Sequence, residues 1–390
     1  MTARWQRSTF AGCSGAPRQS FFLFGPRGSG KSTWVREELP RAHRIDLLDE
    51  ALYQSYLTQP ALFADELRAL PAGATVCVDE IQRLPSLLNE VHRFIEERRL
   101  RFVLCGSSAR KLKQQGTNLL AGRALRRGLH PFVPAELGNA FDLETALAFG
   151  SLPIIWQAPS RTDALLAYAQ MYLREEIQAE ALVRNLPGFA RFLPIAALFH
   201  AQTLNTASLA RDAGVARTTV NGYLEIIEDT LLAFRLQAYE GRLRVREKRH
   251  PKLYWVDAGI VRALRRHLAP PSVEERGPLF EGWVANLLRI HNDYDELFDE
   301  WYYWAPAEAG RTEVDLLLTR GRESLAIEVK SAAKVGPEAL RGLRAIAGLP
   351  RLARRVLVHP GPRPLVTADK IEVWPVGRLL RALAERTLWP

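Results

Sequence analysis

Cysteine is scarce: three residues in 390, Cys13, Cys77 and Cys105, lie far apart with no ligand-like spacing. That excludes a disulfide framework and a structural zinc site, and it suits a reducing cytoplasm. Cys77 and Cys105 sit inside apolar runs, where cysteine acts as a small buried hydrophobe. No apolar run approaches the roughly 18 residues a membrane-spanning helix needs. The N-terminus lacks the charged-then-apolar pattern of a secretory signal. The expectation is a cytoplasmic protein without a membrane partner. What the chain has in excess is positive charge, 53 Lys and Arg against 43 Asp and Glu, a formal net charge of +10. That sign favours a polyanionic partner, nucleic acid first. Arginine-rich composition can also reflect a GC-rich genome, so localised patches are needed to place such a partner. A hydrophobic content of 47% with 25% charged residues is that of a soluble globular protein. The length exceeds one ordinary core, so two or three domains are expected.

Phe21-Phe22-Leu23-Phe24 is a short apolar run of the kind a buried strand needs. Gly25-Pro26-Arg27-Gly28-Ser29-Gly30-Lys31-Ser32 follows, and Ser32 to Leu39, with Thr33 second, reads as a helix. Strand, glycine loop and helix in that order form a phosphate loop. The backbone N–H groups of Gly28 to Lys31 would cradle the β-phosphate of ATP, helped by the helix N-terminus. Lys31 would reach the β/γ oxygens and Ser32 would bind Mg²⁺. Thr75-Val76-Cys77-Val78 then runs into Asp79-Glu80. Asp79 would hold Mg²⁺ through water and Glu80 would polarise the attacking water. A third strand, Arg101 to Cys105, ends in Gly106-Ser107-Ser108; Ser107 or Ser108 is placed to contact the γ-phosphate. Strands alternating with helices predict a parallel α/β sheet with ligand at the strand C-termini.

Gly25-Pro26-Arg27, Val78-Asp79-Glu80-Ile81-Gln82, Gly106-Ser107-Ser108-Ala109-Arg110-Lys111-Leu112 and Leu120-Ala121-Gly122-Arg123 occur in that order. Together they resemble prokaryotic AAA+ ATPases (AAA_14 type) that carry a C-terminal domain of unknown function 4143. The resemblance implies an AAA+ P-loop core over 1–135 and a helical lid or linker over 136–190. It further implies a winged helix-turn-helix over 191–268 and a C-terminal α/β PD-(D/E)xK nuclease-like domain over 269–390. It also implies that an arginine completes the neighbouring subunit's site. Arg123 is the candidate, with Arg126 and Arg127 as rivals, and a surface ion pair is the alternative for Arg123. A trans arginine implies a homo-oligomer in the form of a ring, such as a hexamer.

Beyond the ATPase core, Asp163 to Glu180 reads as one amphipathic helix with no chemistry in it. The segment is broken at Leu152-Pro153 and at Asn185 to Gly188. Pro194 to Gln202 reads as an apolar helix. Asn205-Thr206 would cap a helix over Ala207 to Ala213, Gly214 turns, and Arg217 to Ile227 forms a second helix: a helix-turn-helix. Leu231 to Gln237 and Leu253 to Val256 read as wing strands. Arg217, Thr218, Thr219 and Asn221 open the second helix and can reach DNA. Arg242, Arg244, Arg246 and Lys248 alternate between the wing strands, a basic stripe suited to phosphates. The alternative is a winged helix used for packing, with a solvated basic wing. Asp257 has no role here beyond a turn or cap.

Gly277-Pro278 reads as a boundary before a helix that carries Glu281. Three strands follow, Trp301 to Trp304, Glu313 to Leu318 and Leu325 to Lys330, and then a helix from Pro337 to Ala347. Glu328 and Lys330 share a strand face, and Asp315 can approach Glu328 from the adjacent strand. An Asp, a Glu-x-Lys and a helix Glu resemble the constellation of PD-(D/E)xK nucleases. Asp315, Glu328 and Glu281 would then bind Mg²⁺ or Mn²⁺, with Lys330 as the catalytic lysine. An inert domain with a solvated Glu–Lys pair is the alternative. Arg341, Arg344, Arg351, Arg354 and Arg355 are read as a further basic surface. Three functional readings remain. The first is an ATPase that remodels or translocates duplex or branched DNA. The second is an ATP-gated metal-dependent nuclease, and the third is a nucleotide-state signalling switch that binds a protein.

Overall fold

The computed structural model describes residues 18–108, 120, 122–172, 185–240, 250–306 and 312–390, with 171 and 172 as backbone alone. Cys13, Ala109 to Leu112, Ala121 and the basic stripe of Arg242, Arg244, Arg246 and Lys248 lie outside the described residues. The chain forms two compact units. The first comprises Met1–Phe132, Leu152–Gln157 and Asp229–Leu232; the second comprises Val133–Ser151, Ala158–Glu228 and Ala233–Pro390.

The first unit is built on β1 (Ser20–Phe24), β2 (His43–Asp46), β3 (Thr75–Asp79), β4 (Arg101–Gly106) and β5 (Ala124–Gly128). Their order is β2-β3-β4-β1-β5 and each neighbouring pair is parallel. Alternation along the strands divides the apolar residues between two layers. Phe22, Phe24, Val76, Val78, Phe102 and Leu104 form one core with Tyr56, Phe63, Leu67, Val91 and Phe94. Those partners come from α2 (Glu50–Thr58), α3 (Ala61–Ala69) and α4 (Leu88–Arg98). Phe21, Leu23, Cys77, Val103 and Cys105 face the other way, onto Trp34 and Val35 of α1 (Lys31–Glu38). Helices thus cover both faces, as expected, and the two cysteines are buried hydrophobes. β4 lies between β1 and β3, which brings the C-terminal ends of all three side by side.

The second unit opens with α5 (Leu143–Phe149) and α6 (Arg161–Ala167). The helix expected from 163 onward changes to a π-helical turn at Tyr168–Tyr172. The helix expected over 194–202 is instead α7 (Leu186–Leu198). Asn185 caps its start by accepting from the Gly188 N–H, and Pro187 sits in the first turn, where its missing N–H costs nothing. The segment read as a break is therefore a helix start. α8 (Thr206–Ala213) is capped by Asn205 Oδ1, which accepts from the N–H groups of Ala207 and Ser208. Gly214 turns in the left-handed region, φ 64°, into α9 (Arg217–Asp229). A three-stranded antiparallel sheet flanks these two helices in the chain, β6 (Gln202–Thr203), β8 (Lys252–Trp255) and β7 (Ala233–Leu236) in that spatial order, as a winged helix requires.

α10 (Ala258–Leu264) leads to α11 (Val273–Asp295), which runs through Gly277-Pro278 without a break. Its start is fixed by a capping box between Ser272 and Glu275, so Pro278 interrupts one hydrogen bond rather than the helix. The last sheet has the order β13-β14-β12-β11-β10-β9, with the three expected strands β9 (Glu300–Trp304), β10 (Val314–Arg320) and β11 (Glu323–Val329) pairing antiparallel. The helical stretch after Pro337 contains α12 (Arg341–Ala345) and does not end the domain. It crosses over to β12 (Leu352–His359), parallel to β11. β13 (Leu365–Val366), β14 (Glu372–Pro375) and α13 (Val376–Ala384) complete the mixed sheet and its cover.

Candidate functional site

β1 ends at Phe24 and the chain turns through Gly25 to Gly30 into α1. A Cβ at Gly25 would stand 2.2 Å from the Leu129 carbonyl oxygen, so only glycine fits there. Gly28 and Gly30 adopt φ of 77° and 87°, a region L side chains rarely enter. The loop is pinned internally by the Ser29 N–H donating to the Pro26 carbonyl at 3.1 Å, and from outside by the Ile154 N–H donating to the Gly28 carbonyl at 3.2 Å. Lys31 heads α1 and is buried. Its Nζ donates to the Gly25 and Pro26 carbonyls at 2.9 and 3.4 Å.

The acidic side of the site comes from the end of β3. Ser32 Oγ donates to Asp79 Oδ2 at 2.7 Å, joining the two groups expected to share Mg²⁺. The donor set fits that ion: a hydroxyl and a carboxylate, both oxygen. Glu80 follows in the left-handed region at φ 54°, a strained conformation for a non-glycine residue and one that concentrates at functional sites. Burial raises the Glu80 carboxyl above its ordinary range; Lys31 pulls it down and Asp79 pushes it further up. Ser107 and Ser108 are buried at the end of β4.

Between these groups stands Gln82, to which the sequence reading gave no role. Its Nε2 donates to the Glu80 carboxylate and to Ser107 Oγ, the latter at 3.2 Å. The residue is 3% exposed. The signal was present in the run Asp79-Glu80-Ile81-Gln82, but only the turn that follows β3 shows that the amide points back at the carboxylate. Arg123 ion-pairs with Glu96 of α4, both side chains being substantially exposed. Arg126 on β5 lies over the Phe24 ring at 5.7 Å.

In the second unit, Arg217, Thr218 and Asn221 are exposed on the first turns of α9, and Thr219 is half-buried. Arg217 Nε donates to Thr206 Oγ1 at 3.1 Å, which holds its guanidinium beside the start of α8. Of the five arginines read as a basic surface, Arg341, Arg344 and Arg351 are exposed, and Arg354 and Arg355 on β12 are half-buried. Arg344 pairs with Asp369, Arg354 with Glu372 and the Leu388 carbonyl, and Arg355 with the Leu343 carbonyl. Arg354 and Arg355 tie the domain together through these contacts, while Arg344 keeps its pair at the surface.

The nuclease-like residues do come together, around a group that was not expected. Asp315 Oδ2 accepts the Val329 N–H at 2.8 Å, which sets it against β11 as predicted. Its Oδ1 faces Lys252 Nζ at 3.3 Å. The same ammonium donates to Glu281 at 2.9 Å and to Glu313 at 3.4 Å. Tyr254 adds a hydroxyl donor to Glu281 at 2.7 Å. Lys330 is paired with Glu328. Burial pushes the Glu281 carboxyl up to about 7, with Asp315 adding to the rise and Lys252 opposing it. Burial also raises Glu328, again with Asp315 adding. For Lys252, burial alone would lower the ammonium, but Glu281, Tyr254 and Asp315 outweigh it and hold its pKa well above the ordinary lysine value. Lys252 opens the run Lys252 to Gly259, which resembles a family signature, but it lies in a short strand far from the Asp and Glu-x-Lys pattern and was assigned no part in this cluster.

The parallel sheet, the glycine loop and the Ser32–Asp79 contact define the class of the first unit, a P-loop ATPase domain. Residues 17–138 match the model of a family described as an AAA domain (AAA_14), and residues 276–379 match a domain of unknown function (DUF4143). The chain therefore joins an AAA ATPase domain to a C-terminal DUF4143 domain, the pairing its motifs implied. A further model, a domain of unknown function (DUF8612), spans residues 140–270. An uncharacterized protein of Mycobacterium tuberculosis is 26% identical over 368 residues, 92% of this chain and 80% of that protein. An uncharacterized protein of Mycobacterium bovis matches to the same extent. Among solved structures, a Walker-type ATPase of Pyrococcus abyssi is 17% identical with a TM-score of 0.41, covering 63% of this chain and 90% of that one. The ORC1 protein of Aeropyrum pernix in complex with DNA is 13% identical with a TM-score of 0.28, covering 66% and 88%. No described helix is long and apolar enough to cross a membrane.

Proposed function

We propose that the protein is a cytoplasmic Mg²⁺-dependent ATP hydrolase that acts on DNA as a homo-oligomer. The observation that carries the hydrolase reading is the convergence of Lys31, Ser32, Asp79 and Glu80 at the ends of β1 and β3. Backbone N–H groups at the start of α1 and the Lys31 ammonium bind the phosphates, and Ser32 and Asp79 hold the metal. When bound, Mg²⁺ neutralises charge building on the β/γ oxygens. Glu80 orients and polarises the attacking water, and Ser107 or Ser108 faces the γ-phosphate end. Arg123 serves the neighbouring subunit's site on release from Glu96.

DNA is the favoured load because the first turns of α9 present Arg217, Thr218 and Asn221 to solvent on a helix-turn-helix. The test is phosphate release with and without duplex, single-stranded and branched DNA, for the wild type, Lys31→Ala and Glu80→Gln. DNA should raise wild-type turnover in a salt-sensitive way. Lys31→Ala should abolish nucleotide binding or turnover. Glu80→Gln should keep binding and lose turnover by about 10²–10⁴-fold. Normal turnover in both variants would refute the site. Turnover indifferent to every DNA would instead favour the signalling switch with a protein partner.

A further inference from the structure

The nuclease reading needs a divalent ion among Asp315, Glu328 and Glu281, and the side chains present do not fit one. Both Asp315 oxygens are engaged, Oδ2 by the Val329 N–H and Oδ1 by the Lys252 ammonium. Glu281 Oε1 receives Lys252 and the Tyr254 hydroxyl together. Glu328 Oε1 receives Lys330, and only its Oε2 is buried without a hydrogen-bond partner. Among the described residues no group of three His, Cys, Asp or Glu is arranged to hold a metal ion. Lys252 is 2% exposed, so its ammonium has no access to water and depends on these carboxylates for compensation.

We infer that Lys252 is the resident cation of this cluster: its ammonium fills the place between Glu281 and Asp315 that a divalent ion would need. The cluster is then a buried charge tie between elements of one unit. Lys252 starts at the winged-helix strand β8, Glu281 rides on α11, and Glu313 and Asp315 lie at the head of β10. The arrangement has neighbours that hold the lysine in place. Its ammonium lies 5.6 Å from the centroid of the Tyr303 ring. Tyr254, two residues on and so on the same strand face, donates to the same Glu281. Such a cluster fixes β8 against the C-terminal sheet, because separating them strands Lys252 together with Glu281 and Asp315. The inference is independent of ATP turnover and concerns only the C-terminal cluster.

The test is Mn²⁺ binding followed by electron paramagnetic resonance on the full chain without nucleotide, in an Asp79→Asn background that removes the metal ligand of the first unit. No saturable Mn²⁺ binding is expected, and no Mn²⁺-dependent nicking of supercoiled DNA. Lys252→Met should lower the melting temperature by several degrees, and Mn²⁺ should restore part of that loss, because the vacated cluster now lacks a cation. Stoichiometric Mn²⁺ uptake by the Lys252-containing protein, lost on adding Asp315→Asn, would overturn the inference. So would a Lys252→Met protein that melts like its parent with and without Mn²⁺. If Lys252→Met fails to fold, the Mn²⁺ titration of the Lys252-containing protein still decides.

Discussion

Removing the Gln82 amide isolates its effect on Glu80. In Gln82→Ala the donor to the Glu80 carboxylate disappears, and Ser107 loses its partner. A hydrogen bond to a charged group contributes about 1.5–3 kcal/mol, and at 3% exposure no bulk water replaces it readily. The Glu80 hydrogen bond favours the ionised carboxylate, whereas burial already opposes it. Loss of the bond should therefore raise the Glu80 pKa further. The acid limb of the kcat–pH profile should move to higher pH. In the region where Glu80 becomes protonated, kcat should fall about 10–100-fold. Nucleotide affinity should hardly change, because Lys31, Ser32 and the loop amides make no contact with Gln82. The assay is steady-state phosphate release from pH 5.5 to 9, as a rough working range for such a profile, beside nucleotide binding by fluorescence and a melting curve to establish folding. An unshifted acid limb with kcat within about twofold of wild type would refute a positioning role for Gln82. So would a loss confined to nucleotide affinity.

Two further predictions concern the second unit. Asp257 Oδ1 caps α10 by accepting the Ile260 N–H at 3.2 Å, while Oδ2 accepts the Ser151 N–H at 2.6 Å. Asp257→Ala should therefore cost about 2–4 kcal/mol in chemical denaturation, one part for the cap and one for the stranded N–H; a loss under about 1 kcal/mol contradicts that account. His200 Nδ1 accepts the Trp255 N–H at 3.1 Å, so the ring is neutral, and burial pushes its pKa from 6.5 down to about 3. Its folded pKa is depressed, so the unfolded state binds the extra proton and stability falls as pH drops from 6.5 toward 3, by about 1.4 kcal/mol per unit. Glu281, raised from 4.5 to about 7, works in the opposite sense between those values, its contribution shrinking as pH rises. The difference between wild type and His200→Asn isolates the histidine; parallel stability–pH curves for the two would rule it out.

The sequence was most legible where one short segment contains its own reason. The glycine loop, the strand ending in Asp79-Glu80 and the Asn205 cap each depend on neighbours within a few residues. The parallel sheet was legible in buried apolar runs alternating with helices, but the order β2-β3-β4-β1-β5 and the edge strands β2 and β5 were not. Misreadings came from treating proline as a stop. Pro187 begins a helix because a first-turn N–H is unpaired anyway, and Pro278 sits inside one whose capping box lies upstream. β12, β14 and α13 were missed because their assembly depends on β11 as a template. Asp257 and Lys252 share that limit. The groups they serve are about 106 and 29–63 residues away in the chain, and no local pattern reports such distances.

The two buried lysines show what separates a ligand site from a structural one. Lys31 is held by two neutral carbonyls of its own loop, so it can turn to phosphate oxygens without stranding a buried charge. Each carbonyl it leaves loses a modest bond, about 1 kcal/mol, and an anionic phosphate offers a stronger one. Lys252 faces the carboxyl groups of Glu281, Glu313 and Asp315, of which Asp315 is fully buried, Glu281 nearly so and Glu313 open to solvent. Its withdrawal would leave those carboxylates mutually repelling at low dielectric. Burial alone does not distinguish the two residues, at 7% and 2% exposure. Partner charge does. The first lysine is poised because its present contacts are the weaker ones; the second is fixed because no available ligand improves on the three it has.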